Sequence, residues 1–467
     1  MCRRRAALGA GLLAAVLLPA TPAVAHGIDA APDLPVPSWL FGWAAAIVLV
    51  VSFVWLGTAW RTPRLRPAGP DAPGADRAPD AADPVPLAVQ IPVGALAVVL
   101  WLATMWAGWS GTEVPEANLA PTLVFVVFWV GVAVASILFG DVWSTLSPFR
   151  ALGRGVGALT RRLGVEGPPA VDYPQRLGAW PAALGVLAFA WLELVASSGD
   201  RPANIATATA IYSGVTFVGM AVYGVETWHR RAEAFSVLFG LLARIRRRPV
   251  LRGLGGYDAT PGITAVVLVA IGTTTYDGLS GGSIYADTAP DVTRWLVRRG
   301  LSSDFSYTVY AAALIVVCIA LISGLYWLAC RSAERTRGWP AGRSAWDAFS
   351  PSLVPIAAAY LVAHYLSLLL INGQRLPALL SDPRGAGTDY FGTAGWTADP
   401  GVLPPERNWY VQVAILIAGH VAAIVLAHDR ALELFGGDHR AAARSQQVML
   451  VVMVGFTALG LWLLSSL

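Results

Sequence analysis

Four ionisable side chains lie inside or at the edge of long apolar segments of this sequence: Glu193, Asp277, His364 and His420. An ionisable group at membrane depth is costly, so it usually faces a protein interior or a wet cavity and marks a functional site. Imidazoles and carboxylates are ligands for Zn, Mn or Fe, and a bound metal ion can activate water. We therefore predict a divalent transition-metal site with His364 and His420 as ligands, and with Glu193 and Asp277 as further ligands or as the general base.

The predicted helices place these side chains at comparable depths. At the ~1.5 Å rise of a helix, His364 lies about 10 Å, Glu193 about 8 Å and His420 about 18 Å below the outer helix ends, with Asp277 at the end of its own helix. Tyr360, His364 and Ser367 share one helical face, as Gln412, His420 and His428 do. The four groups could therefore line an outward-facing cavity.

A structural interpretation of the same residues stays open. The four side chains are on separate segments, with no local metal motif such as HExxH. His364 and His420 could instead hydrogen-bond to neighbouring helices and hold the bundle together. Glu193, next to Trp191, could be a neutral acid paired with a backbone carbonyl.

The composition places these segments in a membrane. Hydrophobic residues make up 56% of the 467 and charged residues 13%, against about 25% in soluble proteins. The 33 positive residues are all arginine and lie in loops next to apolar spans, where they orient helices and meet lipid head groups. We predict an all-α, polytopic integral membrane helical bundle whose partner is the lipid bilayer, and no nucleic-acid partner.

The chain order predicts a cleaved leader followed by one transmembrane domain. Residues 1–25 combine a basic start, an apolar run and a small-residue junction, which is typical of a signal peptide, and residues 26–467 form a single helical domain. A Pro-, Ala- and Asp-rich stretch within 61–90 is typical of a flexible linker. Ten apolar spans have lengths near the ~20 residues needed to cross: 39–60, 91–109, 121–140, 178–198, 204–226, 259–277, 306–329, 352–371, 408–428 and 445–466.

Arginine counts predict the orientation. Alternate loops are rich in arginine, which indicates the cytoplasmic side of the cell membrane. Both mature ends are then predicted on the opposite, outer side. Two arginine-rich loops, around 148–163 and 228–248, alternate apolar and basic residues and are interpreted as interfacial helices, with His229 solvated. The loop 372–407 is interpreted as a connection, with a lid as the alternative.

Cysteine contributes no chemistry to these predictions. The three cysteines are Cys2, in the predicted leader, and Cys318 and Cys330 on one predicted helix. Twelve residues of helix separate the last two by roughly 18 Å, too far for a disulfide.

Several strings resemble a known family: AHG before PVPSWLFGWAAAIVLVVSF, then GDVWSTLSPFRALGR, TTTYDG, AHYLSLLLINGQ and GHVAAIVLAHDRAL. They are similar to bacterial multi-pass membrane proteins labelled fenitrothion hydrolase, over most of the chain. The resemblance implies hydrolysis of an apolar organophosphate ester, and it assigns no catalytic residues. Such a substrate is lipid-soluble and could reach a membrane cavity from the bilayer.

Two other classes of function remain open. Ten helices with polar residues open to the outer side of the membrane also fit a transporter of a metal ion or small molecule. Paired histidines could hold a haem in an electron-transfer protein, although the predicted depths of His364 and His420 differ by roughly 8 Å.

Overall fold

A computed structural model of the chain describes residues 38–65, 85–165, 170–246 and 250–465. Within these ranges every regular element is helical, and no strand occurs. The predicted all-α helical bundle is therefore confirmed. The predicted signal peptide and most of the predicted linker lie outside the described residues.

The helices are numbered here in chain order. They are α1 (Ser38–Ala59), α2 (Leu87–Ser110), α3 (Leu119–Phe139), α4 (Trp143–Leu146), α5 (Pro148–Arg162), α6 (Trp180–Leu194), α7 (Pro202–Tyr223), α8 (Val225–Arg231), α9 (Ala234–Ala243), α10 (Arg252–Gly255), α11 (Ile263–Ser280), α12 (Ser283–Val297), α13 (Ser303–Glu334), α14 (Ala345–Ser367), α15 (Leu376–Ser381), α16 (Pro405–Leu434), α17 (His439–Ser445) and α18 (Gln447–Ser465). Short 3₁₀ turns occupy Pro115–Ala117, Arg244–Arg246, Gly373–Arg375 and Pro400–Val402.

Eight helical segments of the described chain are long and apolar enough to cross a membrane. They match eight of the ten predicted spans. The remaining two correspond to α6, an apolar helix of 15 residues, and to α17 with α18, which are bent by 43° at their junction and make a ninth span if counted together. A multi-pass membrane protein follows from these helices, while the count of ten stays a prediction.

Helices α11, α14 and α16 form the centre of the bundle. In the apolar windows of α11 and of the segment that contains α14, 78% and 72% of the residues are buried, against 17% in α1 and α2. Small residues permit the close packing. A Cβ on Gly419 of α16 would lie 2.3 Å from Ala359 Cβ of α14, so the two backbones are in direct contact there.

Hydrogen bonds between helix termini define the two ends of the bundle. At one end, where α11 finishes, the backbone N–H of Thr112 after α2 donates to the carbonyl of Arg384 at 2.8 Å. At the other end, the carboxylate of Asp429 near the end of α16 accepts from the backbone N–H of Arg64, after α1, at 2.6 Å. We call these the Asp277 end and the Glu233 end, after one buried carboxyl at each.

The two predicted interfacial helices differ in the structure. Ser147 caps α5, as the sequence predicts, by accepting from the backbone N–H of Arg150, and Val156 and Leu159 are exposed on that helix. The second prediction is wrong. Nine of the ten residues of α9 are buried, because aromatic residues from α3, α4 and α6 pack around it. Helix α9 therefore lies inside the protein and closes the Glu233 end.

Candidate functional site

A buried hydrogen-bonded trio joins α11 to α14. His364 Nε2 lies 2.7 Å from Asp277 Oδ2, and the hydroxyl of Tyr365 donates to the same oxygen at 2.6 Å. The side chains of His364 and Asp277 are 8% and 6% exposed. An aspartate that accepts two such bonds is held in one orientation, and it holds the imidazole in turn.

The local sequence explains the trio. Asp277 lies one turn before the end of α11, and His364 and Tyr365 lie in the last turn of α14. Consecutive helical residues point about 100° apart. The two rings therefore reach Asp277 from two directions, with 4.7 Å between their centroids and an angle of 83° between their planes.

Glu193 belongs to the same region. It is the second residue from the end of α6, and it lies near enough to Asp277 and Tyr365 to interact with both electrostatically. The structure therefore places three of the four predicted site residues, Glu193, Asp277 and His364, at the same end of the bundle, and it brings Asp277 and His364 into direct contact. Tyr365 was not predicted, because its position one residue after His364 places it off the face that carries Tyr360 and Ser367. The string AHYLS contained the signal, since it sets a second polar ring beside the histidine.

Two π-helical segments flank this trio. One is Thr122–Val132 within α3, and the other, Leu368–Asn372, begins three residues after Tyr365. Trp129 in the first segment is buried and lies beside Tyr365. Segments of π-helix are rare and occur frequently at functional sites, so they mark this end of the bundle independently of the ionisable residues.

His420 lies elsewhere. Its Nδ1 is 2.8 Å from the carbonyl of Leu416 on its own helix, and its ring packs against Tyr360 with 6.0 Å between centroids. Its Nε2 is buried without a partner. The ring is fully enclosed at the contact between α14 and α16, which is the setting expected for a histidine that contributes to helix packing.

The side chains that the structure places together form only part of the predicted metal site. Across the described ranges, no three His, Cys, Asp or Glu side chains lie close enough to hold one metal ion. His364 and Asp277 make a pair of potential ligands, and His420 does not complete a set with them. The predicted metal ion stays a prediction.

The haem alternative meets a steric obstacle. Near His420, helices α14 and α16 are in backbone contact at Gly419, where an added Cβ would also lie 2.7 Å from the carbonyl of Pro355. A porphyrin between these helices would have to separate them. In addition, the Nε2 atom of His364, which would bind the iron, is engaged by Asp277.

A second buried acid lies at the opposite end. Glu233 is 1% exposed and caps α9 by accepting from the backbone N–H groups of Phe235 and Ser236. Its carboxylate also accepts from the indole N–H of Trp143 at 2.9 Å and from the hydroxyls of Tyr212 and Ser236. Five donors on one carboxylate offset the cost of removing it from water.

His229 is part of this second cluster and is not solvated, contrary to the sequence-based interpretation. It is 4% exposed, and its Nδ1 lies 2.7 Å from Ser236 Oγ. Burial, and then the neighbouring Arg150, lower the pKa of His229 to about 3, so the ring is neutral near pH 7. His229 is buried because it contacts Ser236 on α9, and α9 lies inside the protein. The mixture of apolar and basic residues in the sequence did not reveal this burial.

Known proteins provide no assignment for either cluster. Comparison of the chain with protein-family models, curated proteins and solved structures finds no match. The resemblance to fenitrothion hydrolase, and the activity that it implies, therefore stay predictions.

Proposed function

We propose that this protein is a membrane-embedded hydrolase of lipid-soluble esters of the organophosphate type, with the Asp277–His364 pair as its water-activating group. The observation that carries the proposal is the 2.7 Å contact between buried His364 Nε2 and Asp277 Oδ2. The resemblance noted in the sequence supplies the reaction class.

The chemistry follows from the tautomer that Asp277 selects. The carboxylate of Asp277 accepts a hydrogen bond from the Nε2–H of His364, and this tautomer leaves the lone pair of the imidazole on Nδ1. That nitrogen removes a proton from water as the water oxygen forms its bond to phosphorus. The bond from phosphorus to the aryl oxygen breaks, the aryl oxide leaves with its electron pair, and the proton on His364 passes to the leaving group or to solvent. Tyr365 keeps Asp277 in place by donating to it.

The surroundings favour an apolar substrate. His364 and Asp277 are buried on two of the most enclosed apolar spans of the bundle, and α9 with its aromatic contacts closes the Glu233 end. A substrate that partitions into the bilayer can approach the Asp277 end from the lipid or from the adjoining aqueous side. Charged esters would have to shed their hydration first.

The test is direct. Protein purified in detergent is incubated with an aryl phosphorothioate, and release of nitrophenol is followed by absorbance, with metal content measured on the same sample. We expect release that scales with protein concentration and falls about 10²–10⁴-fold in Asp277→Asn, because the amide no longer fixes the tautomer in which Nδ1 of His364 acts as the general base. Absence of release by the unsubstituted protein contradicts the proposal.

A second candidate, proton-coupled transport, is supported by one observation. Glu193 and Asp277 are two carboxyl groups that lie near each other inside the bundle, and chains of such groups carry protons in pumps and transporters. In liposomes that enclose a pH-sensitive dye, we expect a proton-coupled transporter to acidify the lumen when its solute is added outside. We expect Glu193→Gln to abolish this acidification. Hydrolysis that survives Glu193→Gln separates the two functions.

A further inference from the structure

The loop between α15 and α16 exposes three large aromatic side chains. Tyr390, Phe391 and Trp396 are 59%, 72% and 57% exposed, and they lie within seven residues of chain. Exposure of apolar surface to water costs about 25 cal/mol of free energy per Å². A cluster of three exposed rings therefore usually marks an interaction surface. We call residues 388–396 the aromatic loop.

The aromatic loop has a defined conformation. Ser381 at the end of α15 accepts from the backbone N–H of Phe391 at 2.9 Å through its hydroxyl oxygen, and from that of Tyr390 at 3.0 Å through its carbonyl. Its hydroxyl donates to Asp389, and Thr393 donates to the carbonyl of Pro377 at 2.7 Å. The rings are therefore presented by a held backbone, which lowers the entropic cost of inserting them into another phase.

Hydrogen bonds fix the level of this loop along the bundle. Just before it, the carbonyls of Pro383 and Arg384 accept from the backbone N–H groups of Leu119 and Thr112 at 3.0 and 2.8 Å. Thr112 follows Trp109 by three residues, which is about one helical turn. The segment that leads into the aromatic loop therefore lies within about one turn of the end of α2, one of the membrane-spanning candidates.

Exposed aromatic residues already mark that level. Trp106 and Trp109 on the last turns of α2 are 44% and 56% exposed, and the guanidinium of Arg384 lies 5.2 Å from the ring centroid of Trp106. Tryptophan and tyrosine are enriched at the boundary between acyl chains and head groups. We expect the aromatic loop, which begins four residues after Arg384, to lie near the same boundary.

We propose that Tyr390, Phe391 and Trp396 insert into the bilayer leaflet at the Asp277 end, in the region between head groups and acyl chains. The loop then anchors the ends of α14 and α15 and the start of α16 at the membrane surface. This function is independent of any hydrolytic activity. The chemistry of the partner is that of a phospholipid surface, because the three rings are large and amphipathic or apolar, and the adjacent arginine is suited to phosphate groups.

Site-specific quenching tests the insertion. Phe391→Cys is labelled with bimane and placed in phosphatidylcholine nanodiscs with or without lipids that carry a spin label high on the acyl chain. Ala386→Cys is the matched control, because residue 386 is exposed in the preceding turn of the same connection. Cys318 and Cys330 are buried, and protein without the new cysteine measures their background labelling.

We expect severalfold stronger quenching at position 391 than at position 386, and the same difference for Trp396→Cys. Equal quenching at all three positions overturns the proposal. So does crosslinking of position 391 to a second copy of the chain in nanodiscs without lipid quenching, because the rings would then be covered by protein.

Discussion

The imidazole of His364 and the carboxylate of Asp277 meet across the contact between α14 and α11, with 2.7 Å between Nε2 and Oδ2. These two helices belong to the most buried spans of the bundle. A hydrogen bond to a charged partner in such a setting contributes about 1.5–3 kcal/mol, and leaving either partner alone costs more. The pair is therefore both a structural link and the reactive centre proposed here.

Tyr365→Phe tests how Asp277 is held. The substitution keeps the ring and removes one donor to the carboxylate, so we expect a loss of about 1.5–3 kcal/mol in the free energy of unfolding. Denaturant titration in detergent micelles measures the loss. Tyr410→Phe is the control, since that ring is 45% exposed, and an equal loss in both variants argues against a special role for Tyr365.

Gly460→Ala tests the packing of α18 on α14. A Cβ at Gly460 would lie 2.4 Å from the hydroxyl of Tyr360, which donates to the carbonyl of Phe456 at 2.8 Å. We expect destabilisation by about 1–3 kcal/mol, as for other overpacked cores. Gly455→Ala on the same helix meets nothing within 4 Å and is expected to leave stability unchanged or raised by up to about 1 kcal/mol. The reverse order of the two variants contradicts the packing described.

Sequence reasoning anticipated the fold class and much of one site. Ionisable residues inside apolar segments are costly enough to be found without a structure, and simple depth estimates placed Glu193, Asp277 and His364 at the same end. The same estimates could not give the rotation of α16 about its axis, which turns His420 toward Tyr360. The burial of α9 was also not predicted, because the arginines that flank it resemble those of a surface helix. In the structure, nearly all of its residues are buried in the protein.

Glu233→Gln tests the buried acid at the other end. An amide places an NH₂ group where a carboxylate oxygen now accepts from several donors, so at least one donor loses its acceptor. We expect a loss of about 2 kcal/mol or more, with thermal unfolding monitored by circular dichroism. Glu113→Gln, at an exposed position, is the control. A negligible effect of Glu233→Gln would mean that the network does not stabilise α9.

The stability of the protein at acid pH tests two titratable groups of α8, Glu226 and His229. Burial opposes ionisation of Glu226, but hydrogen bonds from Arg150 and Arg154 outweigh it and lower its pKa from 4.5 to about 2. The resulting stabilisation is complete above about pH 4.5 and is lost as the pH falls toward about 2. His229, with a lowered pKa of about 3, binds its proton more readily when unfolded, so acidification from about pH 6.5 to about 3 also favours unfolding.

Melting temperatures measured across this acid range check both groups. We expect Glu226→Gln to flatten the curve below about pH 4.5 and His229→Asn to flatten it between about pH 6.5 and 3, each at some cost in stability at neutral pH. Curves parallel to that of the unsubstituted protein would show that neither group titrates differently on unfolding.

The most direct test of the proposed mechanism compares His364→Ala with His420→Ala in the nitrophenol-release assay, after gel filtration has shown that both variants are folded. Of these two histidines it is His364 that contacts Asp277, so we expect kcat/KM to fall about 10²–10⁴-fold in His364→Ala and to stay within a few-fold of the unsubstituted value in His420→Ala. Unchanged hydrolysis in His364→Ala, or equal losses in the two variants, would contradict the assignment of the Asp277–His364 pair as the reactive centre.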